Sequence, residues 1–369
     1  MTEQNALYLG DNRTILRSFF ESETVDLIYL DPPFNSKRHY ALRRDKSADS
    51  SEMERYAFGD NWKWSDDQYR RFMTECTNRT LQNLIQGFIQ CFGASDLMAY
   101  AVMMAARITE FHRVLKPTGS LYLHCDPGSS HYLKLVLDCV FGLENFRNEL
   151  IWNYGGRGAK AVARQYPRNH DVILYYSRSK GHHQFARPDE IRKLTPDQAR
   201  SRGMRQDGEG QWFKTAPRGD YSDESVRKLT TQGRIHVTLT GSVRVKYPLE
   251  ESDGFIVERI PLGDVWSDIP DGMHMRRSGY PTEKPLLLLK RIITASTQPG
   301  DTVLDPFCGS GTTLVAAQSL ERRWIGIDNG SAAISVSQAK LGKLFENKKW
   351  RSEILSTPAD ETINRYWIA

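Results

Sequence analysis

The sequence has few cysteines and no long apolar run. No apolar stretch approaches the roughly 18 residues that a membrane-spanning helix needs, and residues 1–5 lack the charged-then-apolar pattern of a signal peptide. The 5 cysteines include no Cys-x-x-Cys pair, which argues against structural zinc and against a disulfide framework. We therefore expect a soluble, cytoplasmic protein in a reducing compartment, without a metal site.

The glycine-rich segment at 305–313 lacks two common nucleotide-binding signatures. It follows an apolar strand pattern, Thr302 to Asp305, and precedes a helical pattern from Leu314 to Ser319. Strand, glycine-rich turn and helix in this order form the nucleotide-binding corner of a doubly wound sheet. The segment has neither the third glycine of a dinucleotide fingerprint nor the Gly-Lys-Ser/Thr of a phosphate loop, so it argues only weakly for NAD and argues against ATP.

The early part of the chain contains a rigid polar turn, Asp31-Pro32-Pro33-Phe34. It follows the apolar run 25–30, which predicts a buried strand, and open α/β sheets bind ligands at the carboxyl edge of such strands. The two prolines remove backbone donors, which leaves carbonyls and the Asp31 carboxylate as acceptors suited to an NH2 group. Phe34 supplies a flat apolar face for a planar ring. A strand end capped by a turn is the alternative interpretation.

Three motifs in a fixed order carry a resemblance to a known family. The turn at 31–34 comes first, Pro281-Thr282-Glu283-Lys284-Pro285-Leu286 second, and the segment 305–313 last. In this order they resemble the amino-group DNA methyltransferases of the β class, in which the catalytic motif precedes the cofactor motif. The resemblance covers the first 40 residues, roughly 95–178, and 264–340. It implies an α/β fold, a circularly permuted Rossmann-like sheet that uses S-adenosylmethionine, with an inserted target-recognition region.

The resemblance also implies roles for individual residues. The catalytic residues would be Asp31, Pro32, Pro33 and Phe34, with Asp31 also next to the cofactor. Asp11 would accept from the adenine amino group of the cofactor, although it could equally cap a helix. Lys284 near a helix N-terminus is explained if it faces the carboxylate of the cofactor. The remaining cofactor-binding residues would be Thr282, Asp305, Pro306, Phe307, Cys308, Gly309, Ser310, Gly311, Thr312, Thr313 and Asp328.

The chain divides into three stretches. Residues 1–178 would form the first part of the methyltransferase core, including a loop and helical insertion at 35–94, and residues 264–369 the second part. Residues 179–263 have no place in a doubly wound sheet, which makes them the natural target-recognition region. Between 151 and 250, 19 Lys and Arg face 10 Asp and Glu, a local charge of +9 that suits a polyanionic partner.

Contacts with the target base and with DNA can be assigned to a few residues. By resemblance, the strand pattern at 148–154 backs the target-base pocket, so Trp152 and Tyr154 are candidate walls. Lys37 and Arg38 next to the catalytic turn, and Arg157 in a glycine-rich loop, suit phosphate contact. His124, beside Asp126, suggests acid–base chemistry, but a lone histidine in a half-buried strand is more often structural. The pattern from 65 to 112 is helical, with apolar-periodic runs at 72–92 and 97–115. The methionine stripe Met98, Met103 and Met104 suggests core or a subunit interface, and dimerisation through this region is a further hypothesis.

The expected reaction is site-specific methyl transfer to the exocyclic amine of adenine (N6) in double-stranded DNA, after base flipping. An Asp at the head of the turn favours adenine by resemblance, and cytosine N4 is the alternative. The turn lacks the Pro-Cys that cytosine C5 methylation needs. Two less favoured functions are an RNA or protein amide methyltransferase and a catalytically inactive DNA-binding module. A separately encoded restriction endonuclease in the same prokaryotic or phage system, acting at the nucleoid, would be a further partner.

Overall fold

The structure, a computed structural model, describes residues 5–33, 38–41, 56–60, 62–155, 164, 166–271, 280–281, 283–345, 349–358 and 362–368, and of 38–41 and 56–60 the backbone alone. Four residues singled out from the sequence lie outside the described residues: Phe34, Lys37, Arg157 and Thr282. The chain forms two compact units, one made of residues 1–186 and 263–369, the other of residues 187–262. No helix among the described residues is long and apolar enough to cross a membrane.

Helices and strands alternate over most of the chain. In chain order they are β1 (Ala6–Leu9), α1 (Asn12–Phe19), β2 (Val25–Leu30), β3 (Arg38–Ala41), β4 (Tyr56–Asp60), α2 (Asp66–Glu75), α3 (Arg79–Phe92), α4 (Asp96–Val114), β5 (Leu115–Cys125), α5 (Ser130–Phe141), β6 (Phe146–Asn153), β7 (His170–Ser177), β8 (Asp189–Leu194), α6 (Pro196–Ser201), β9 (Arg205–Gln206), β10 (Trp212–Pro217), α7 (Asp223–Thr231), β11 (Ile235–Val237), β12 (Val243–Pro248), β13 (Glu250–Ser252), β14 (Phe255–Pro261), β15 (Val265–Trp266), α8 (Leu286–Ser296), β16 (Thr302–Asp305), α9 (Thr312–Ser319), β17 (Arg323–Asp328), α10 (Ser331–Gly342), β18 (Trp350–Ser356) and β19 (Thr362–Ile368).

A ten-stranded sheet is the centre of the larger unit. Its order is β15-β6-β7-β5-β2-β16-β17-β1-β19-β18, and the five strands from β5 to β1 are mutually parallel. Strand β7 runs antiparallel to both of its neighbours, β5 and β6. Strand β2 from the start of the chain thus pairs with β16 from near its end. This arrangement is the circularly permuted Rossmann-like sheet that the motif order predicts.

The apolar patterns between residues 66 and 114 belong to the helices α2, α3 and α4. Helix α4 is buried over most of its length, and its Met98 and Met104 are 1% and 0% exposed, so this methionine stripe belongs to the core. The apolar run that suggested one helix from 72 to 92 is two helices, α2 and α3. Asn78 separates them because its side chain accepts from the Leu81 backbone N–H at 3.0 Å and caps α3.

The smaller unit has two antiparallel sheets of its own. One has four strands in the order β11-β12-β10-β9, the other three in the order β13-β14-β8. Both sheets and helix α6 contribute residues to one small apolar core. Its members are Leu194, Ala199, Met204, Trp212, Leu249 and Ile256. Residues 187–262 therefore form an independent apolar cluster within the stretch predicted as the target-recognition region.

Candidate active site

Acidic residues lie at the carboxyl ends of neighbouring parallel strands. Asp31 follows β2, Asp305 ends β16 and Asp328 ends β17. The three strands are adjacent and parallel, so their carboxyl ends share one edge of the sheet. Strand β2 is buried throughout and stops where Pro32 and Pro33 remove the backbone donors that would continue it. The local sequence therefore determines where Asp31 emerges from the core.

The loop between β16 and α9 is closely folded. Its Cys308 N–H donates to the Ile327 carbonyl at 3.0 Å, and its Gly311 N–H donates to the Cys308 carbonyl at 2.7 Å. Gly309 and Gly311 have φ values of +49° and +73°, in the left-handed region. A Cβ on Gly311 would lie 2.6 Å from Ser337 Oγ, and one on Gly309 would lie 3.3 Å from the Tyr280 ring. Both glycines are thus required by the backbone conformation and by their neighbours.

Asp328 connects this loop to the next strand. Its Oδ2 accepts from the Gly309 N–H at 2.9 Å and its Oδ1 accepts from the Gly330 N–H at 2.8 Å. Burial raises the pKa of Asp328, and these backbone donors oppose the shift. Each carboxylate oxygen has a second lone pair, so Asp328 can still accept from a ligand hydroxyl.

Asp305 is the most perturbed of the three acids. Burial raises the pKa of Asp305 to about 7, while donors from Thr313 and the Phe307 backbone oppose the shift and the charges of Asp31 and Asp328 add to it. Three acids thus share one edge of the sheet, and such an edge attracts a cationic ligand when its carboxylates are ionised.

Asp31 is held by a lysine from a distant part of the sequence. The Lys284 ammonium donates to both oxygens of the Asp31 carboxylate, at 2.7 and 2.8 Å, and the two side chains are 9% and 20% exposed. In the structure the ammonium of Lys284 is bonded to Asp31, and the predicted contact of Lys284 with the carboxylate of the cofactor stays a prediction. Pro32 is buried and Pro33 half-buried beside it.

A second lysine, which the sequence did not reveal, lies at the start of α9. Lys340 Nζ, on α10, donates to Ser310 Oγ at 3.0 Å and to Thr312 Oγ1 at 3.1 Å, and it forms an ion pair with Glu283. Burial lowers the pKa of Lys340, and the Glu283 carboxylate opposes that shift. Lys340 belongs to no motif, and only the structure places it against the glycine-rich loop.

Asp11 is the N-cap of α1. Its Oδ1 accepts from the Thr14 N–H at 2.9 Å, and its Oδ2 forms an ion pair with Arg107 of α4. Arg107 also donates to Asn12 Oδ1 at 2.8 Å, and the Asn12 amide donates to the Pro306 carbonyl at 2.7 Å. Asp11 is therefore a capping residue whose neighbours reach the glycine-rich loop, and its contact with the cofactor stays a prediction.

A buried relay of hydrogen bonds lies beneath Asp31. The Tyr29 hydroxyl is 2.9 Å from His124 Nδ1, and His124 Nε2 is 3.0 Å from Asp171 Oδ2. His124 is fully buried. Asp126, which the sequence suggested as its partner, instead accepts from the Ser129 N–H at 3.0 Å at the start of α5. The structural interpretation of His124 fits this geometry.

The proposed pocket walls differ in exposure. Trp152 is 2% exposed, and its indole N–H donates to the Ile269 carbonyl at 2.8 Å, so it can support a pocket only from behind. Tyr154 is half-buried, with its ring centroid 5.2 Å from that of Trp152. Arg38 lies in β3, where the structure describes only the backbone.

The smaller unit carries a basic cluster on its four-stranded sheet. Arg205 Nη1 lies 3.1 Å from His236 Nε2, and Arg244 faces His236 across β11 and β12. Lys246 lies over the Phe213 ring, 4.7 Å from its centroid. Burial lowers the pKa of His236, and these cations lower it further. Over residues 187–262 as a whole, 14 Lys and Arg face 12 Asp and Glu, so the basic excess seen in the sequence is concentrated rather than general.

Comparison with known proteins identifies the family. The profile of a DNA methylase family of the N6/N4 class matches residues 25–339, most of the chain. The chain belongs to this family. The methylase is 27% identical to the type II methyltransferase M.EcaI of Enterobacter cloacae, over 99% of this chain and 77% of the relative. It is 27% identical to the type II methyltransferase M.BamHI of Bacillus amyloliquefaciens, over 94% of this chain and 62% of the relative.

A third relative, the DNA adenine methyltransferase YhdJ of Escherichia coli K12, is 26% identical over 63% of the methylase and 64% of its own length. The methylase thus spans less than two thirds of two of these three relatives.

N6/N4 methylases use S-adenosylmethionine, and the site fits this cofactor. The cofactor carries a sulfonium cation, which suits the acidic edge formed by Asp31, Asp305 and Asp328. A Cβ at Gly309 or Gly311 would close the approach to the loop backbone. Asp328 is oriented by two backbone donors and has lone pairs to accept from ribose hydroxyls.

Proposed function

We propose that the methylase transfers a methyl group to N6 of adenine in double-stranded DNA. The observation that carries this proposal is the position of Asp31, which emerges from a buried strand next to the glycine-rich loop. The Asp head of the turn favours adenine by family resemblance, and one of the relatives is named a DNA adenine methyltransferase. Cytosine N4 is the competing product, and RNA and protein amides are less favoured substrates.

The proposed chemistry depends on acceptors for both amine hydrogens. The exocyclic amine is a weak nucleophile because its lone pair is delocalised into the ring. Asp31 and the Pro32 carbonyl would accept its hydrogens and direct the lone pair for in-line transfer. Asp31 retains capacity for this, since an ionised carboxylate has about four lone-pair sites and Lys284 contacts each oxygen once. S-adenosylmethionine would supply the methyl group: its S–CH3 bond breaks as the new C–N bond forms, S-adenosylhomocysteine leaves as a neutral thioether, and the proton lost by the amine passes to solvent.

We also propose that residues 187–262 recognise the target sequence. Arg205, Arg244 and Lys246 offer cations on one sheet for DNA phosphates, next to His236 and the aromatic face of Phe213. Trp152 and Tyr154, Lys37, Arg38 and Arg157 stay predicted contacts. A homodimer, a restriction endonuclease partner and a cytoplasmic location likewise stay predictions.

The test is mass spectrometry of nucleosides from plasmid DNA incubated with the methylase and S-adenosylmethionine. N6-methyladenine would support the proposal, N4-methylcytosine would overturn the assigned base, and no methylated base would overturn DNA methylation. The matched variant Asp31→Ala should bind S-adenosylhomocysteine and DNA but lose transfer by at least about a hundredfold. Transfer retained in Asp31→Ala would contradict the role of this carboxylate.

A further inference from the structure

Two adjacent residues of opposite charge, Glu283 and Lys284, contact different parts of the site. Glu283 pairs with Lys340, and its Oε1 is 3.4 Å from Thr312 Oγ1 in the first turn of α9. Lys284 pairs with Asp31 through both carboxylate oxygens. Their side chains are 16% and 9% exposed, so both ion pairs are largely buried. This dipeptide therefore joins the cofactor loop to the catalytic turn.

Lys340 is the residue that fixes one side of this connection. Its ammonium contacts two hydroxyls of the glycine-rich segment, Ser310 at 3.0 Å and Thr312 at 3.1 Å, as well as Glu283. It comes from α10, and no ion pair between it and Asp31 occurs among the residues that the structure describes. The contacts that link Lys340 to Asp31 run through Glu283 and its neighbour Lys284.

The two ion pairs depend on one short stretch of backbone. Adjacent Cα atoms are separated by a rigid, planar peptide unit of about 3.8 Å. A backbone shift at Glu283 toward or away from the loop therefore also moves the backbone that carries Lys284. Removal of one partner would leave the other charge buried without compensation, which makes a largely buried pair strongly dependent on both members.

We propose that Glu283 and Lys340 are positioning residues that couple occupancy of the cofactor loop to the orientation of Asp31. This inference rests on the proposed function, which assigns the loop to the cofactor and Asp31 to the target amine. A ligand that orders Ser310 and Thr312 also orders Lys340 and Glu283, and the adjacent Lys284 then holds the Asp31 carboxylate in one orientation. The methylase would thus present its acceptor to the amine most effectively when the methyl donor is bound.

The first test separates coupling from simple loop integrity. Lys340→Met should weaken binding of S-adenosylhomocysteine and also lower the single-turnover rate at saturating cofactor about tenfold, within the range seen for coupled residues. Lys343→Met, an exposed lysine at the end of the same helix, is the matched control and should leave both values unchanged. A residue that only maintained the loop would raise the KM for the cofactor and leave the saturated rate intact, and that result for Lys340→Met would overturn the proposal.

Exchanging the charges of Glu283 and Lys340 tests whether a lower rate comes from the lost ion pair or from misfolding. Glu283→Lys and Lys340→Glu should each lower the saturated rate, whereas the double variant restores an ion pair of reversed polarity and should recover most of it. Circular dichroism would establish that all three variants are folded. A double variant no faster than either single variant would also contradict the coupling.

Calorimetric measurement of cofactor binding without DNA tests the coupling independently of the proposed methyl transfer. Asp31→Asn should change the Kd of S-adenosylhomocysteine at least about twofold in the parent chain, because Lys284 loses its charged partner, and should have no effect in the Lys340→Met background. Equal effects in both backgrounds would refute the coupling. If the parent methylase transferred no methyl group to DNA, the proposed function would fail, and this comparison would still decide the coupling.

Discussion

Because the pKa of Asp305 is raised, we predict that the affinity for a positively charged cofactor depends on pH, whereas the affinity for its neutral product does so much less. Burial brings the pKa of this acid to about 7. If only the ionised form binds the sulfonium, the apparent Kd scales inversely with the ionised fraction, which is roughly a tenth at pH 6 and roughly nine tenths at pH 8. We therefore expect the affinity for S-adenosylmethionine to rise about tenfold over this interval, or about 1.4 kcal/mol.

The product provides an internal control, because S-adenosylhomocysteine is a neutral thioether at the reacting sulfur. Calorimetric titrations of both ligands at the two pH values should show a much smaller change for the product. Asp305→Asn should abolish the difference between the two ligands. Equal pH dependences in the parent protein, or a difference that survives in Asp305→Asn, would refute the link between this carboxylate and the sulfonium.

The remaining predictions concern the loop, the basic cluster and stability. Gly309→Arg should abolish S-adenosylhomocysteine binding in calorimetry, because φ is +49° there and a Cβ already meets Tyr280 at 3.3 Å; undiminished affinity would contradict this. Arg244→Gln and Lys246→Gln should each reduce the salt slope of DNA binding by about 1, whereas Arg192→Gln on the other sheet should not. Without ligand, the raised pKa of Asp305 means that the folded chain holds this proton more tightly. Its contribution to stability should therefore be complete below about pH 4 and lost as the pH rises through about 7, and thermal melts of Asp305→Asn should lack this loss.

The sequence allowed the strands and their acidic ends to be predicted because the signals are local. The apolar run at 25–30 and the two prolines after it mark β2 and the position of Asp31 without any knowledge of neighbours. The strand pattern at 302–305 coincides with β16, and the helical pattern at 314–319 lies within α9. The order of the strands in the sheet was predicted from the family resemblance, because apolar periodicity predicts single strands but not their neighbours.

Side-chain partners were harder to predict because they come from distant parts of the chain. His124 was considered with Asp126, two residues away, whereas its carboxylate partner is Asp171, which is 47 residues away on the adjacent β7. The boundary between α2 and α3 was likewise not predicted from the apolar run at 72–92. Its apolar period continues through 76–78, and only the cap made by Asn78 reveals the break.

Lys340 had no sequence signal at all. Its helix, α10, consists mostly of small and apolar residues, and a lysine in the last turn suggests a solvated surface. It contacts the glycine-rich segment because α10 packs where its ammonium can reach the hydroxyls of Ser310 and Thr312. A search for buried lysines near a glycine-rich loop requires coordinates, since burial of a polar side chain is not encoded by periodicity.

The interleaving of early and late strands in one sheet has a consequence for synthesis. Asp31 is made near the start of translation, but its partner Lys284 follows 253 residues later, and the neighbouring strand β16 comes later still. At the usual 5–20 residues per second, the ribosome needs roughly 10–50 s to cover that interval. During that time β2 has no partner on one side, so the turn at Asp31 stays without its companion lysine until the last quarter of the chain emerges.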